Sequence, residues 1–118
     1  MDKVFVYGTL KKSNEIRGLD KITGCEFINE AQTIDKTYNM IDLGYFPAVL
    51  CQGSYNIKGE VWNVDQDALH ALDIIEGYPD FYSRKKINTT EGVAWIYYFK
   101  EDTKKHNYIM PKGEILEW

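Results

Sequence analysis

The clearest structural signals in this 118-residue chain lie between Asp65 and Gly77. Asp65 offers the side-chain acceptor of an N-cap, and Asp67 puts a negative charge in the first turn, where the helix dipole favours it. Ala68, Leu69, Leu72 and Ile75 recur at helical spacing as an apolar stripe. Gly77 suits the left-handed position that follows a helix, which makes Glu76 the last helical residue. The spacing therefore predicts a helix over residues 66–75 that ends at Glu76. Most of the remaining chain carries a different period.

Residues 3–7 read as a strand whose consecutive β-formers Val4, Phe5 and Val6 need burial on both faces, and Gly8 ends it. Residues 25–34 and 38–43 carry weaker strand signals. Residues 44–47 read as a loop and 48–50 as a short strand. Gly53-Ser54 then reads as a turn into a strand over 55–64, where Tyr55, Ile57, Gly59 and Val61 alternate onto one face. Residues 81–88 and 93–99 read as a hairpin around Thr90-Glu91-Gly92. Residues 100–107 form a polar loop, and the tail 108–118, with Pro111 and Gly113, reads as irregular. A second, short helix capped by Ser13 and holding Ile16 and Leu19 is expected before Gly24. Aromatics reach 14%, and such side chains fit pleated surfaces. No repeat or linker divides residues 1–118, so one domain is expected. One helix among many strands implies an α+β domain whose sheet is strongly curved or closed into a barrel.

Charge and composition exclude several function classes. The formal net charge is −4, and neither half of the chain is a basic arm. That argues against nucleic acid, which needs a basic footprint. No apolar stretch approaches a membrane span, and a strand signal begins almost at the N-terminus, so no membrane partner and no signal peptide are expected. The two cysteines, Cys25 and Cys51, cannot form a disulfide framework, and a cytoplasmic setting with reduced thiols is the default. Cys25, Cys51, His70 and His106 show no metal-ligand spacing. His70 falls on the solvent side of the helix with Gln66 and Asp73. No Ser-His-Asp arrangement, phosphate-binding loop or zinc motif is visible.

Two features offer chemistry. Leu69, Leu72 and Glu76 share a helix face, so Glu76 is carried to the edge of the core. Burial and the negative helix end both raise a carboxylate's pKa, which makes a better general base near neutral pH. The competing reading is a boundary carboxylate that reaches solvent or pairs with Arg84. The second feature is Tyr7-Gly8-Thr9-Leu10, directly after a buried strand. Gly8 lets the backbone turn sharply, and successive N–H groups in such a turn can cradle an anion; a helix start near Ser13 would add to that positive end. A plain structural turn is the alternative.

Three segments together carry a resemblance: Val4-Phe-Val-Tyr-Gly-Thr-Leu10, then Gly59-Glu-Val-Trp62 leading into the helix, then Leu72-Asp-Ile-Ile-Glu-Gly-Tyr78 with Phe81-Tyr82 and Arg84. The chain resembles the γ-glutamylcyclotransferase-like superfamily, in its small AIG2-like and γ-glutamylamine cyclotransferase members, from Val4 to the tail. The resemblance implies a small closed or nearly closed mixed β-barrel with one main flanking helix. It implies that Tyr7, Gly8, Thr9 and Leu10 bind the α-carboxylate of a γ-glutamyl group through backbone N–H groups, and that Glu76 is the catalytic acid/base. Tyr82 joins these as a substrate-binding residue. Gly59 and Glu60 match a stretch near the site in relatives, with opposite parity in their strand.

The implied reaction needs no cofactor and no metal. A γ-glutamyl amine or peptide already contains its nucleophile, the α-amine, and closure onto the γ-carbonyl gives 5-oxoproline and a free amine. One base must take a proton from the amine and can return it to the leaving nitrogen. Two other classes compete: a non-catalytic small-ligand-binding module on the same fold, and another amide- or ester-cleaving enzyme using Glu76 with the tyrosines. An intact Glu76 favours an enzyme. Specificity for the leaving amine is expected around residues 45–47, Tyr82 and Tyr108.

Overall fold

The longest element is a strand of 18 residues, and the rest of the sheet is arranged around it. The computed structural model describes residues 1–11 and 18–118. Their elements are β1 (Asp2–Val6), β2 (Cys25–Gln32), β3 (Tyr38–Asp42), β4 (Pro47–Val64), α1 (Gln66–Glu76), β5 (Ser83–Thr89), β6 (Gly92–Tyr98) and β7 (Ile115–Leu116), with a 3-10 turn at Leu19–Lys21. The expected helix cap at Ser13 and the core position at Ile16 lie outside the described residues.

The main sheet runs β2-β4-β1-β6-β5, and β3 and β7 also pair with β4. β1 is antiparallel to β4 and parallel to β6. The two ends of this path approach each other at a bridge between Thr33 and Thr89. Ile34 N–H donates to the Asn88 carbonyl at 3.0 Å, and Thr90 N–H to the Gln32 carbonyl at 2.9 Å. The mixed barrel is nearly closed, as expected.

The expected turn at Gly53-Ser54 is absent, and the chain continues through it as β4. The register shows why. Asn39 of β3 pairs with Leu50, whereas Tyr38 pairs with Tyr55. Residues 51–54 are thus an irregularity that re-aims one strand from β3 toward β2 and β1. A Cβ on Gly53 would lie 2.3 Å from the Tyr38 carbonyl oxygen. The glycine serves a close backbone crossing, which has the same local signature as a turn.

β1 is buried on both faces. Phe5 packs inside the barrel with Ile57, Val61 and Ile96. Val4 and Val6 pack on the opposite face with Trp62, Leu69 and Leu72, under α1. Full burial of a side chain such as Phe5 or Leu72 contributes about 1.5–3 kcal/mol. Asp65 caps α1 by accepting the Ala68 N–H at 2.8 Å. The apolar stripe is shorter than expected: Ala68, Leu69 and Leu72 are buried, but Ile75 is 43% exposed. Ile75 and Glu76, at the very end of α1, line a cavity instead. The tail is not wholly irregular. β7 pairs with β4 at Asn56 and Ile57, and Leu116 is fully buried.

His70 is exposed, as its helix position requires. Cys25 and Cys51 are free and half-buried. Burial pushes both thiols up, away from a reactive thiolate. Among the described residues, no helix is long and apolar enough to cross a membrane.

Candidate active site

The segment after β1 is a tight turn. Lys11 N–H closes on the Gly8 carbonyl at 3.1 Å, so Thr9 and Leu10 are its central residues. The hydrogen bond that closes such a turn does not use the N–H groups of the central residues. Gly8 does not have a positive φ. Its glycine has another cause: a Cβ there would lie 2.8 Å from the Pro47 ring, which packs against the turn. Gly59 acts from below. A Cβ on it would meet the Val6 carbonyl oxygen at 2.3 Å, so only glycine lets β4 approach the end of β1 this closely.

Opposite the turn, α1 ends in a Schellman motif. Gly77 has φ 64°, its N–H donates to the Ile74 carbonyl at 3.1 Å, and Tyr78 N–H donates to the Asp73 carbonyl at 2.9 Å. Glu76 is therefore held as the final helical residue, half-buried. After the cis Tyr78–Pro79 bond the chain folds back, and Tyr82 N–H reaches the Glu76 carbonyl at 3.3 Å. The Tyr82 hydroxyl donates to the Pro47 carbonyl at 2.6 Å, tying this segment to the start of β4.

One helical turn before Glu76, Asp73 anchors the helix end to the sheet. It accepts Arg84 Nε at 2.8 Å, Arg84 Nη2 at 3.1 Å and the Tyr97 hydroxyl at 2.7 Å. The guanidinium lies 4.5 Å from the Tyr78 ring centroid and 4.3 Å from that of Trp95. Asp73 was expected on the solvent side, and its place against the sheet corrects that expectation. It also settles where Arg84's fork goes, namely to Asp73. The signal was present in the sequence, since Asp73 and Glu76 are three apart and share a face.

Between turn and helix end lies a cavity of about 250 Å³. Tyr7, Gly8, Thr9, Leu10, Glu76 and Tyr82 all line it, whereas Gly59 and Glu60 do not. Phe46, Pro47, Ile75, Phe81 and Tyr97 complete much of the wall. Phe81 stands edge-on to Tyr82 and to Phe99, with centroids 5.2 and 5.1 Å apart. Of the expected specificity positions, Phe46, Pro47 and Tyr82 reach the cavity. Tyr45 and Tyr108 do not line it and are largely exposed.

Tyr7 crosses beneath the site. Its hydroxyl donates to the Tyr97 carbonyl at 2.7 Å and accepts the Val49 N–H at 3.1 Å. Burial pushes its pKa well above the ordinary value, and the nearby Tyr82 and Glu76 charges push the same way. Tyr97 is raised too, by burial first and then by its bond to the Asp73 carboxylate. Both hydroxyls stay protonated at neutral pH. Among the described residues, no three His, Cys, Asp or Glu side chains gather as a metal site.

The turn and the helix-end carboxylate thus line one cavity on a nearly closed barrel. Residues 4–117 match the model of the family described as gamma-glutamyl cyclotransferase, AIG2-like, and the chain belongs to that family. Gamma-glutamylcyclotransferase family protein YtfP of Escherichia coli K12 is 30% identical over 100 residues, covering 83% of this chain and 82% of that one. Gamma-glutamylaminecyclotransferase B of Danio rerio is 42% identical over 94 residues, covering 74% of this chain and 49% of that protein. The solution NMR structure of Escherichia coli ytfP has a TM-score of 0.70 at 28% identity and covers 98% of this chain and 95% of that one.

Proposed function

We propose that the chain is an enzyme that cyclises a γ-glutamyl amine or peptide to 5-oxoproline and releases the free amine. The observation that supports this reading is the pairing, across one cavity, of the Tyr7–Leu10 turn with Glu76. The N–H groups of Gly8, Thr9 and Leu10 grip the substrate's α-carboxylate, an anion suited to successive backbone donors. That grip folds the γ-glutamyl chain so that its α-amine lies beside its own γ-carbonyl, and the gain is chiefly entropic.

Glu76 takes one proton from the α-ammonium. The freed nitrogen lone pair attacks the γ-carbonyl carbon and closes a five-membered ring. As the amide C–N bond breaks, the protonated Glu76 returns the proton to the leaving nitrogen. It then takes the surplus proton from the ring nitrogen, leaving the lactam N–H, and passes it to the released amine, which departs as an ammonium. Atoms balance without water, metal or cofactor. The aromatic wall of Phe46, Phe81 and Tyr82 shields the reacting atoms from water, which strengthens each charge interaction inside.

The test is 5-oxoproline release by the purified protein from a panel of γ-glutamyl amines and γ-glutamyl dipeptides. Release from at least one class is expected. Tight binding of these ligands without release would instead identify a binding module on the same fold.

A further inference from the structure

The mechanism above uses the α-carboxylate and the γ-carbonyl but leaves one demand unmet. The α-amine must present its lone pair to the γ-carbonyl, so its hydrogens must be held elsewhere. Glu76 removes one. A second acceptor in the cavity wall would fix the others.

The hydroxyls near the cavity differ in what they can offer. The Tyr7 oxygen already receives the Val49 N–H while its hydrogen goes to the Tyr97 carbonyl. The Tyr97 hydroxyl gives its hydrogen to Asp73 Oδ1 at 2.7 Å, and among the described residues no donor reaches its oxygen. Asp73 cannot reverse this arrangement. Both its oxygens accept from the Arg84 fork, at 2.8 and 3.1 Å, and a carboxylate only accepts. The Tyr97 hydrogen is thus aimed at α1, and the unused lone pairs are left on a residue that lines the cavity. The Glu76 charge acts on this same hydroxyl, which places the two groups within electrostatic reach of each other.

We propose that Tyr97 is a substrate-binding residue whose hydroxyl oxygen accepts a hydrogen bond from the substrate's α-amine, and that Asp73 and Arg84 are positioning residues that orient it. This deepens the cyclotransferase reading and rests on it. The site then has donors for the α-carboxylate at the turn and acceptors, Glu76 and Tyr97, for the α-amine. A ligand without the amine meets acceptors it cannot satisfy, and buried groups left unpaired penalise binding.

Two probes that cannot cyclise test this. L-Methionine sulfone carries the α-carboxylate, the α-amine and a sulfone where the substrate has its γ-carbonyl. 4-(Methylsulfonyl)butanoate is the same molecule without the amine. Dissociation constants are measured by calorimetry for the native protein, Tyr97→Phe and Asp73→Asn, each checked for an intact thermal transition. The native protein should prefer the amine-bearing probe. Tyr97→Phe should weaken that probe on the order of tenfold or more, the scale of a hydrogen bond to a charged group, and leave the other within about twofold. Asp73→Asn, which can donate as well as accept, should lose part of the same preference. Equal weakening of both probes, or no weakening of either, would overturn the role of Tyr97. An unchanged preference in Asp73→Asn would overturn the orienting role. Turnover of γ-glutamyl substrates by the native protein is measured alongside. Its absence would count against the cyclotransferase reading, while the ratio of the two constants still decides the role of Tyr97.

Discussion

Across the cavity, the turn after β1 and the end of α1 present opposite chemistry and are built in opposite ways. In the proposed mechanism the turn supplies backbone N–H groups. Its shape is enforced by what cannot be added: a Cβ at Gly8 would strike Pro47, and one at Gly59 would strike the Val6 carbonyl. The helix end offers a carboxylate. Its shape is enforced by what is present: the Schellman turn at Gly77 and the Asp73, Arg84 and Tyr97 cluster. One wall is set by excluded volume and the other by directed polar bonds. The first should tolerate side-chain changes that keep the backbone in place, and the second should not.

The strongest way to break this contrast is at the helix end. Glu76→Gln keeps size and hydrogen bonding but removes the basic lone pairs. Turnover should fall by about a hundredfold or more, the usual scale for an acid/base group, with an unchanged thermal midpoint. A fully active variant would remove Glu76 from the mechanism and leave the helix end with a structural role only. Because Glu76 must be ionised to accept a proton, turnover should also fall on the acid side of its pH profile.

At the turn, Gly8→Val adds a branched Cβ where the Pro47 ring packs. Relieving such overpacking costs about 1–3 kcal/mol and displaces the donors. KM should rise roughly tenfold to thirtyfold, more than kcat falls. If kcat alone changes, the turn is not the carboxylate grip. A γ-glutamyl amine whose α-carboxylate is amidated should be a poor substrate of the native protein for the same reason, and equal rates for the two would point to the same failure.

A smaller effect is expected on stability at high pH. The Tyr7 and Tyr97 hydroxyls have raised values in the folded protein, against a reference of 10.0. Above that reference the unfolded chain releases these protons while the folded chain keeps them, so stability should decline as pH rises beyond about 10. Urea melts between pH 8 and 11 would show the decline, and Tyr97→Phe should make it shallower. No backbone donor of the turn titrates in this range. The smallest effect is expected for Thr9→Ser, which removes one methyl group from the turn. kcat/KM should stay within about twofold, and a larger loss would mean that the side chain, not the backbone, makes the contact.

Those contrasts also explain how much was legible beforehand. The limits of α1 could be read because capping is local chemistry: Asp65, Gly77 and the intervening stripe lie within one short segment. The two buried faces of β1 were equally plain in Val4, Phe5 and Val6. The continuity of β4 was not, because Gly53 answers to a carbonyl on Tyr38 that only the folded chain brings near. The same limit hid the Tyr97 contact, since Tyr97 is 24 residues from Asp73. Glu76 and the Tyr7–Leu10 turn were found, each from its own neighbourhood. What spacing could not supply was that they face each other; the resemblance implied it, and the barrel brings them to one cavity.

The bent strand β4 has a consequence for motion. It is paired with β3 and β7 over its first part and with β2 and β1 over its second. Over Glu60–Val64 it lies between β1 and β2, and an amide there such as that of the fully buried Val61 should exchange with water only when the whole barrel opens. The turn at Gly8 is closed by a single backbone bond to Lys11, and its amides should exchange through small local openings. A ligand carboxylate docked there would slow exchange at Thr9 and Leu10 and leave the already protected amides of β4 at their former rates. The molecule thus contains its own internal reference for a footprinting measurement, a rigid strand beside a responsive turn.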